Sequence, residues 1–196
     1  MNKQKILDKI WWTKKARIHS EIRLKQDAQL SQYLLIWFSF IVVCTSIYGL
    51  KYGLSNNIEL GLIFLSIGIL VISIIVNYSR FNERAMEMKK SYEMLNKLHD
   101  EATFLDERTI NNEYRNILEL SENHKEIDYL SALVNEYENL PEHKRDPKKD
   151  NYPLSNTPSQ SQIDKYHNYT CFSFLINFCY WFLPAIILIP INFILK

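Results

Sequence analysis

Two apolar runs decide the fold of this chain: YLLIWFSFIVVCTSIYGL at residues 33–50 and LGLIFLSIGILVISIIV at residues 60–76. Neither run contains Asp, Glu, Lys or Arg. As helices rising roughly 1.5 Å per residue, both come close to the roughly 30 Å of hydrocarbon in a bilayer. A surface helix of a soluble protein would instead carry a polar stripe. We therefore predict an all-α membrane protein in which residues 33–79 form a transmembrane helical hairpin.

A third apolar run, Cys171–Leu195, follows much later in the sequence. We predict that residues 169–196 form a third, C-terminal transmembrane helix. Pro184 and Pro190 each remove a backbone donor, so the alternative is a kinked or re-entrant segment. Inside a membrane the amides of Asn177 and Asn192 would need partners on other helices or water, which favours an oligomer or a pore. The alternative is one local hydrogen bond.

Basic residues near the ends of the hairpin predict its orientation. Arg23 and Lys25 precede the hairpin and Arg80 and Arg84 follow it, whereas the connecting loop holds only Lys51. Positive residues near the ends of spans favour the cytoplasmic side. We therefore expect a multi-pass protein with a cytoplasmic N-terminus.

The rest of the sequence divides into three polar segments. We predict a basic amphipathic helix at residues 1–32, a heptad-containing helical region at residues 80–140 and a Pro-rich linker at residues 141–168. The apolar face of the first helix fits either the inner headgroup layer or the chain's own cytosolic helices. We expect the second span to continue into the cytosol as one long helix, with a break at Asn111 and Asn112.

These cytosolic segments have opposite charge. Residues 1–32 hold eight Lys or Arg and three Asp or Glu, a net charge of +5. Residues 80–140 hold eight Lys or Arg and fourteen Asp or Glu, a net charge of −6. Segments of opposite sign attract one another, so docking of the two within the chain is expected.

Small residues recur along the second span. Gly61 and Gly68 are seven residues apart, as are Ser66 and Ser73. Small side chains let transmembrane helices approach closely, and a face of Gly and Ser also suits a narrow aqueous path. We predict that these four residues form a packing or pore face.

The sequence offers no convincing catalytic site. Its histidines lack a metal-ligand spacing, its cysteines form no CxxC pair, and its glycines all lie in the hairpin and its loop, which leaves none for a phosphate-binding loop. We predict no catalytic residue, no cofactor, no metal site and no direct nucleic-acid binding. A membrane enzyme that depends on His99 and His124 is the alternative.

The string ILDKIWWTKKARIHSEIRLK at residues 6–25, followed by the hairpin, resembles the SLATT family. These are the two-transmembrane effector domains associated with SMODS and SLOG proteins, and the similarity is greatest to the fifth subfamily, which is found beside reverse-transcriptase genes. The resemblance covers most of residues 5–140, and the linker and third run lie outside the minimal two-span pattern. The matching residues in the string are Ile10, Trp11, Thr13, Lys14, Ala16, Arg17, Ile18, Glu21, Arg23 and Leu24.

The resemblance implies a membrane effector of a bacterial conflict or anti-phage system, located in the bacterial inner membrane. We expect it to form a homo-oligomer that opens a pore or perturbs the bilayer on a cytosolic signal, causing growth arrest or cell death. A cytosolic sensor or a reverse transcriptase encoded nearby is the expected partner. The alternative is a non-conducting anchor or scaffold for such a partner. The residues expected to couple the signal to the membrane are Trp11, Lys14, Arg17, Glu21 and Arg23.

Overall fold

The structure, a computed structural model, describes residues 3–147 and 152–194, with side chains as far as Phe182. Within these residues every regular element is a helix, which confirms the all-α prediction. The α-helices are α1 (Lys3–Tyr52), α2 (Asn56–Tyr78), α3 (Phe81–Glu101), α4 (Glu107–Glu119), α5 (Glu126–Glu138) and α6 (Gln160–Ile194). Short 3₁₀ helices occur at Ala102–Phe104 and Glu142–Lys144.

The chain divides into two compact units. The first unit comprises Met1–Lys25 and Asn82–Thr170, and the second comprises Gln26–Phe81 and Cys171–Lys196. The predicted amphipathic helix and the predicted first span are therefore parts of one continuous helix, α1, which contributes to both units.

The core of the first unit forms where the start of α1 packs on α3 and α4. Ile6 and Ile10 of α1 are almost completely buried. Fully burying a large apolar side chain stabilises a fold by about 1.5–3 kcal/mol, so this contact holds the N-terminal segment in the first unit. Of the two predicted placements, the structure shows packing on the chain's own helices. The buried residues of this core are Ile6, Ile10, Leu95, Leu98, Ala102, Ile110, Tyr114 and Ile117.

The sequence predicts a heptad seam along α3, formed by Phe81, Ala85, Met88, Tyr92, Leu95, His99 and Ala102. Ala85, Met88 and Leu95 are buried, and Leu95 and Ala102 belong to this core. Towards the end of α3 the buried position is Leu98, whereas the neighbouring His99 is partly exposed. The seam therefore packs inside one chain.

Opposite charges meet across the first unit as the sequence predicts. Lys15 Nζ of α1 lies 2.6 Å from Glu136 Oε1 of α5. Arg23 of α1 pairs with Asp128 of α5, with a distance of 2.7 Å between Nε and Oδ1. The docking of the basic segment on the acidic helices is confirmed by these ion pairs.

The predicted break at Asn111 and Asn112 is wrong, because both residues lie inside α4. The chain turns earlier, at Ala102–Phe104, and α4 starts after Asp106. The Asp106 carboxylate accepts hydrogen bonds from the backbone N–H groups of Arg108 and Thr109, two donors that a helix start would otherwise leave unpaired. These hydrogen bonds stabilise the start of α4 at Asp106, and the Asn111–Asn112 pair does not interrupt the helix that follows.

We expect the start of α4 to loosen in an Asp106→Ala variant in a pH-dependent way. The Thr109 hydroxyl and then the backbone N–H groups lower the pKa of Asp106 from its ordinary 3.8, because they bind the charged form. The cap therefore stabilises the helix fully above pH 3.8, and this stabilisation is lost as the pH falls through the lower pKa of the folded state. Amide hydrogen exchange of Arg108 and Thr109 should be faster in the variant at pH 7, and the difference should shrink towards pH 3. If the difference in exchange rate between variant and wild type is independent of pH, the cap does not depend on the charged form of the Asp106 carboxylate.

The second unit exposes most of its apolar residues. Two helical stretches, Lys3–Tyr52 and Asn56–Phe104, each contain an 18-residue segment that is long and apolar enough to cross a membrane. Only 6% of the segment in the first stretch and 17% of the segment in the second are buried within the protein. Exposed side chains include Ile36, Phe40, Val43, Ile63, Phe64 and Leu70. A water-soluble unit would hide such residues, whereas a lipid-facing hairpin exposes them.

The hairpin turn depends on glycine. Gly53 follows the last residue of α1, has φ +75°, and donates its backbone N–H to Gly49 O at 2.8 Å. This is the left-handed position at which helices commonly end. A side chain at Gly49 would collide with Leu54, whose Cγ would lie 2.6 Å from an added Cβ.

The helix of the second apolar run does not continue into α3 as one regular helix. α2 ends at Tyr78, and Arg80 has φ +47° before α3 starts at Phe81. A non-glycine residue in this left-handed region costs roughly 1–2 kcal/mol, so the interruption is a defined turn. The prediction of one long helix is wrong at this position.

α6 starts at Gln160, well before residue 169, where we placed the start of the membrane segment. Ser159 and Gln162 exchange hydrogen bonds between side chain and backbone, a capping box of the S-x-x-Q type. Within the second unit, Trp37 of α1 donates its indole N–H to Trp181 O at 3.1 Å. The third run is helical as far as Ile194. Among the described residues, only the two stretches given above are long and apolar enough to cross a membrane, so the third span stays a prediction. The side chains of Pro184, Pro190 and Asn192, together with Leu195, lie outside the described residues.

Candidate functional site

The residues predicted to couple a signal lie along one helix, in the part of α1 that belongs to the first unit. Trp11 is partly buried and meets Trp12 edge to face, with 4.6 Å between the ring centroids. The Lys15 ammonium lies 5.3 Å from the centroid of the Trp11 ring, within the range of a cation–π interaction. Lys14 donates to Asn96 Oδ1 at 2.9 Å, and burial together with the adjacent Lys15 lowers the pKa of Lys14.

Arg17 is fully buried, which is unusual for an arginine. Its terminal nitrogens donate to Ile117 O at 3.3 Å and Leu118 O at 3.4 Å, in the last turn of α4. The negative end of the α4 dipole therefore faces the guanidinium. Among the described residues no hydrogen-bond partner reaches Arg17 Nε, and burial lowers the pKa of this group.

Arg23 and Asp128 form a largely buried ion pair in the first unit. Arg23 Nε and Nη2 donate to the two carboxylate oxygens of Asp128 at 2.7 and 3.0 Å, a bidentate geometry. Asp128 is 2% exposed and also accepts the backbone N–H of Lys125 at the start of α5. This pair joins the signal-coupling helix to α5.

Glu21, another of the predicted signal-coupling residues, interacts with Lys25 and Tyr92. It is buried, and its carboxylate accepts from Lys25 Nζ at 2.6 Å, one helical turn along. Burial and then the hydrogen bond with Glu21 raise the pKa of Tyr92 to about 12. Four of the five predicted residues therefore contact α3, α4 or α5, namely Lys14, Arg17, Glu21 and Arg23.

A cavity of about 300 Å³ opens beside these residues within the first unit. Lys9 lies at its edge, and the other lining residues are Asp8, Trp12, Thr13, His124, Tyr129 and Asn156. Burial and then the nearby Arg17 charge lower the pKa of His124, while Asp128 opposes this effect. The Arg17 charge therefore acts on one lining residue, although Arg17 itself does not line the cavity.

The predicted packing face in α2 resolves into two stripes. An α-helix turns by about 100° per residue, which separates the glycine pair from the serine pair by about 140° around the axis. Gly61 is buried, whereas a Cβ built on Gly68 would meet nothing within 4 Å. Ser66 and Ser73 donate their hydroxyls to the backbone of α2, at Leu62 O and Leu70 O.

Sequence reasoning missed the partners of the signal-coupling residues. Asp128 lies 105 positions from Arg23, and Leu118 lies 101 positions from Arg17. A single sequence carries no signal for such pairs. No group of three or more metal-ligating side chains occurs in the described part of the chain. His99 and His124, on which an enzyme would depend, share no interaction in that part of the chain.

A family model, the SMODS and SLOG-associating 2TM effector domain family 5, matches residues 2–195. The chain belongs to this family. The predicted SLATT resemblance is thereby confirmed, and the match also includes the linker and α6, which the resemblance had left outside. No curated protein and no solved structure matches the chain.

Membership assigns this SLATT protein to the two-transmembrane effector domains of conflict systems. It is a family of membrane-associated effectors, not a known enzyme family. The paired apolar helices of the second unit agree with this assignment, and the first unit supplies a polar body with a cavity.

Proposed function

We propose that this SLATT protein assembles with copies of itself in the bacterial inner membrane and permeabilises the bilayer when a cytosolic signal reaches its first unit. The observation that carries this proposal is the open space at Gly68 on an otherwise apolar, exposed helix. Because Gly68 has no side chain, it leaves a notch in the surface of α2. On a lipid-facing helix such a notch admits the backbone of another transmembrane helix.

The two stripes of α2 have different roles in this proposal. The glycine stripe, Gly61 and Gly68, provides close packing between helices. Ser66 and Ser73 lie on the far side, and their hydroxyls are already satisfied by the backbone of α2. Such serines offer a mildly polar wall for water or ions without requiring a partner in the closed state.

Coupling follows from the continuity of α1. Lys14, Arg17 and Arg23 lie in the same unbroken helix as the first apolar run, so a shift of the polar segment also moves the membrane segment. A signal acts by binding one arrangement of the first unit more tightly than the other. The N-terminus is cytoplasmic in this scheme, and a sensor or reverse transcriptase encoded nearby is the candidate source of the signal.

The test is induced expression in bacteria with a voltage-sensitive dye and parallel growth curves. We expect depolarisation to begin before growth arrest, because ion leakage is the cause of the arrest. Membrane fractions confirm the amount of inserted protein, and an ionophore calibrates the dye. Growth arrest at full membrane potential would favour the alternative, a non-conducting scaffold for a cytosolic partner.

A further inference from the structure

Residues 152–159, which we call the strap, lead into α6 and have no regular secondary structure. The centre of the strap is bound to α1. Ser155 Oγ accepts the indole N–H of Trp12 at 2.7 Å and donates to the carboxylate of Asp8, one helical turn earlier. A hydrogen bond to a charged carboxylate is stronger than one between neutral groups, so this single hydroxyl joins the strap to two residues of α1.

The strap also contacts α5. The side-chain amide of Asn156 lies 3.3 Å from the hydroxyl of Tyr129, measured from Nδ2. Because a hydroxyl both donates and accepts, either orientation of the amide allows this hydrogen bond. Pro158, near the end of the strap, is buried. The strap therefore bridges α1 and α5 immediately before α6 begins.

The core of the first unit forms without the strap. Its buried residues come from α1, α3, α4 and the short helix Ala102–Phe104. Independently of the strap, the bidentate pair of Arg23 and Asp128 holds α1 on α5. The strap can therefore leave its site while the helices of the unit stay packed.

The strap is also loosely packed. Ser155 and Asn156 are exposed, and the cavity of about 300 Å³ lies beside the contacts of the strap, with Asp8, Trp12 and Asn156 in its lining. Segments with few buried apolar contacts and solvent-exposed hydrogen bonds open at a low cost in free energy. Docking of the strap is thus specific but easily reversed.

Release of the strap changes how α6 is held in the first unit. The start of α6 also contacts α5, where Lys165 Nζ lies 2.7 Å from Glu126 Oε1 and the side chains are 57% and 73% exposed. Solvent screens such a pair, so it contributes little. Release therefore removes the tie to α1 and leaves the start of α6 on weak contacts with α5. Both α1 and α6 continue from the first unit into the second.

We propose that the strap is an autoinhibitory latch. Docked on α1 and α5, it holds the first unit in the resting arrangement, and its release lets α1 and α6 shift and activates the effector. A segment that binds its own chain in only one of two states favours that state by the free energy of its contacts. The inference rests on the effector function proposed above and adds the contact that restrains it.

Docking is measured with a bimane label on Thr157→Cys, in the full chain in lipid nanodiscs, with the three native cysteines replaced by alanine. Tryptophan quenches bimane at short range, and Thr157 is two residues from the Ser155 hydroxyl that binds Trp12, so the docked strap is weakly fluorescent. Ser155→Ala should enlarge the released fraction about fivefold, since it removes the hydroxyl that holds the strap on α1. Ser155→Thr keeps the hydroxyl and should stay quenched, and Trp12→Phe gives the unquenched reference.

Activity is measured as growth arrest over a series of inducer concentrations, with the protein level taken from membrane fractions. Ser155→Ala should stop growth at about one-fifth of the wild-type level, because more of its strap is released. Thr157→Val removes an exposed hydroxyl of the same strap and should match wild type. The proposal is overturned if Ser155→Ala leaves the label quenched, or if it releases the strap but stops growth at the wild-type level. Arrest at full membrane potential would contradict the proposed permeabilisation and leave the latch supported.

Discussion

Cells that express the Gly68→Leu variant are expected to keep their membrane potential and continue to grow. In one chain a side chain at position 68 enters open space, so the substitution leaves the fold of the hairpin intact. In an assembly the leucine fills the notch that admits a neighbouring helix, and small-residue contacts of this kind do not tolerate bulk. Loss of depolarisation therefore reports on contacts between copies.

Ile67 provides the matched control. It lies about 100° around the helix from Gly68 and from Ser66, and its side chain is 53% exposed. Ile67→Phe also adds volume, but away from both the glycine stripe and the serine stripe, so we expect it to depolarise cells like wild type. Gly49 is unsuitable for this comparison, because a side chain there strikes Leu54 within the same chain.

The measurement combines the voltage-sensitive dye with quantification of the protein in membranes. Gly68→Ala should give an intermediate loss, since one methyl group fills only part of the notch. If Gly68→Leu depolarises cells as fully as wild type at equal protein levels, the glycine stripe takes no part in the active assembly.

Arg23→Ala is expected to lower the free energy of unfolding by about 3–5 kcal/mol, the cost of leaving a buried charge without its partner. Asp128 is 2% exposed, so water cannot replace the lost guanidinium. The pair is bidentate and joins α1 to α5, which makes it a structural as well as an electrostatic link. Urea unfolding in detergent, followed by circular dichroism, measures the change.

An exposed ion pair of the first unit supplies the control. Arg84 Nη2 lies 2.7 Å from Glu122 Oε1, and the side chains are 31% and 40% exposed. Solvent screens this pair, so Arg84→Ala should cost about 0–1 kcal/mol. Equal losses for the two variants would show that Arg23 does not have the special role that its burial indicates.

The sequence predicted the two apolar helical segments because their signal is local. Absence of charge over such a length requires no knowledge of tertiary contacts, and both runs are helical throughout, although α1 begins thirty residues before the first run. Opposite net charges likewise predicted the docking of α1 on the acidic helices. They did not predict which residues pair, because Arg23 and Asp128 are 105 positions apart.

The errors concern helix boundaries, and two of them had readable signals. Asp106 with Thr109 three residues later is a helix start, yet the Asn111–Asn112 pair was given more weight. Ser159 and Gln162 form a capping box that marks the start of α6 inside a segment interpreted as linker. The left-handed turn at Arg80 had no such signal, since arginine has no preference for that conformation.

Patch recording from giant spheroplasts tests the central claim most directly, because it measures conductance in the native membrane. Patches taken from growth-arrested cells that express the wild-type chain should show discrete conductance steps. Patches from cells that express Gly68→Leu at the same membrane level should lack them. Electrically silent patches from arrested wild-type cells would contradict the account and favour the scaffold.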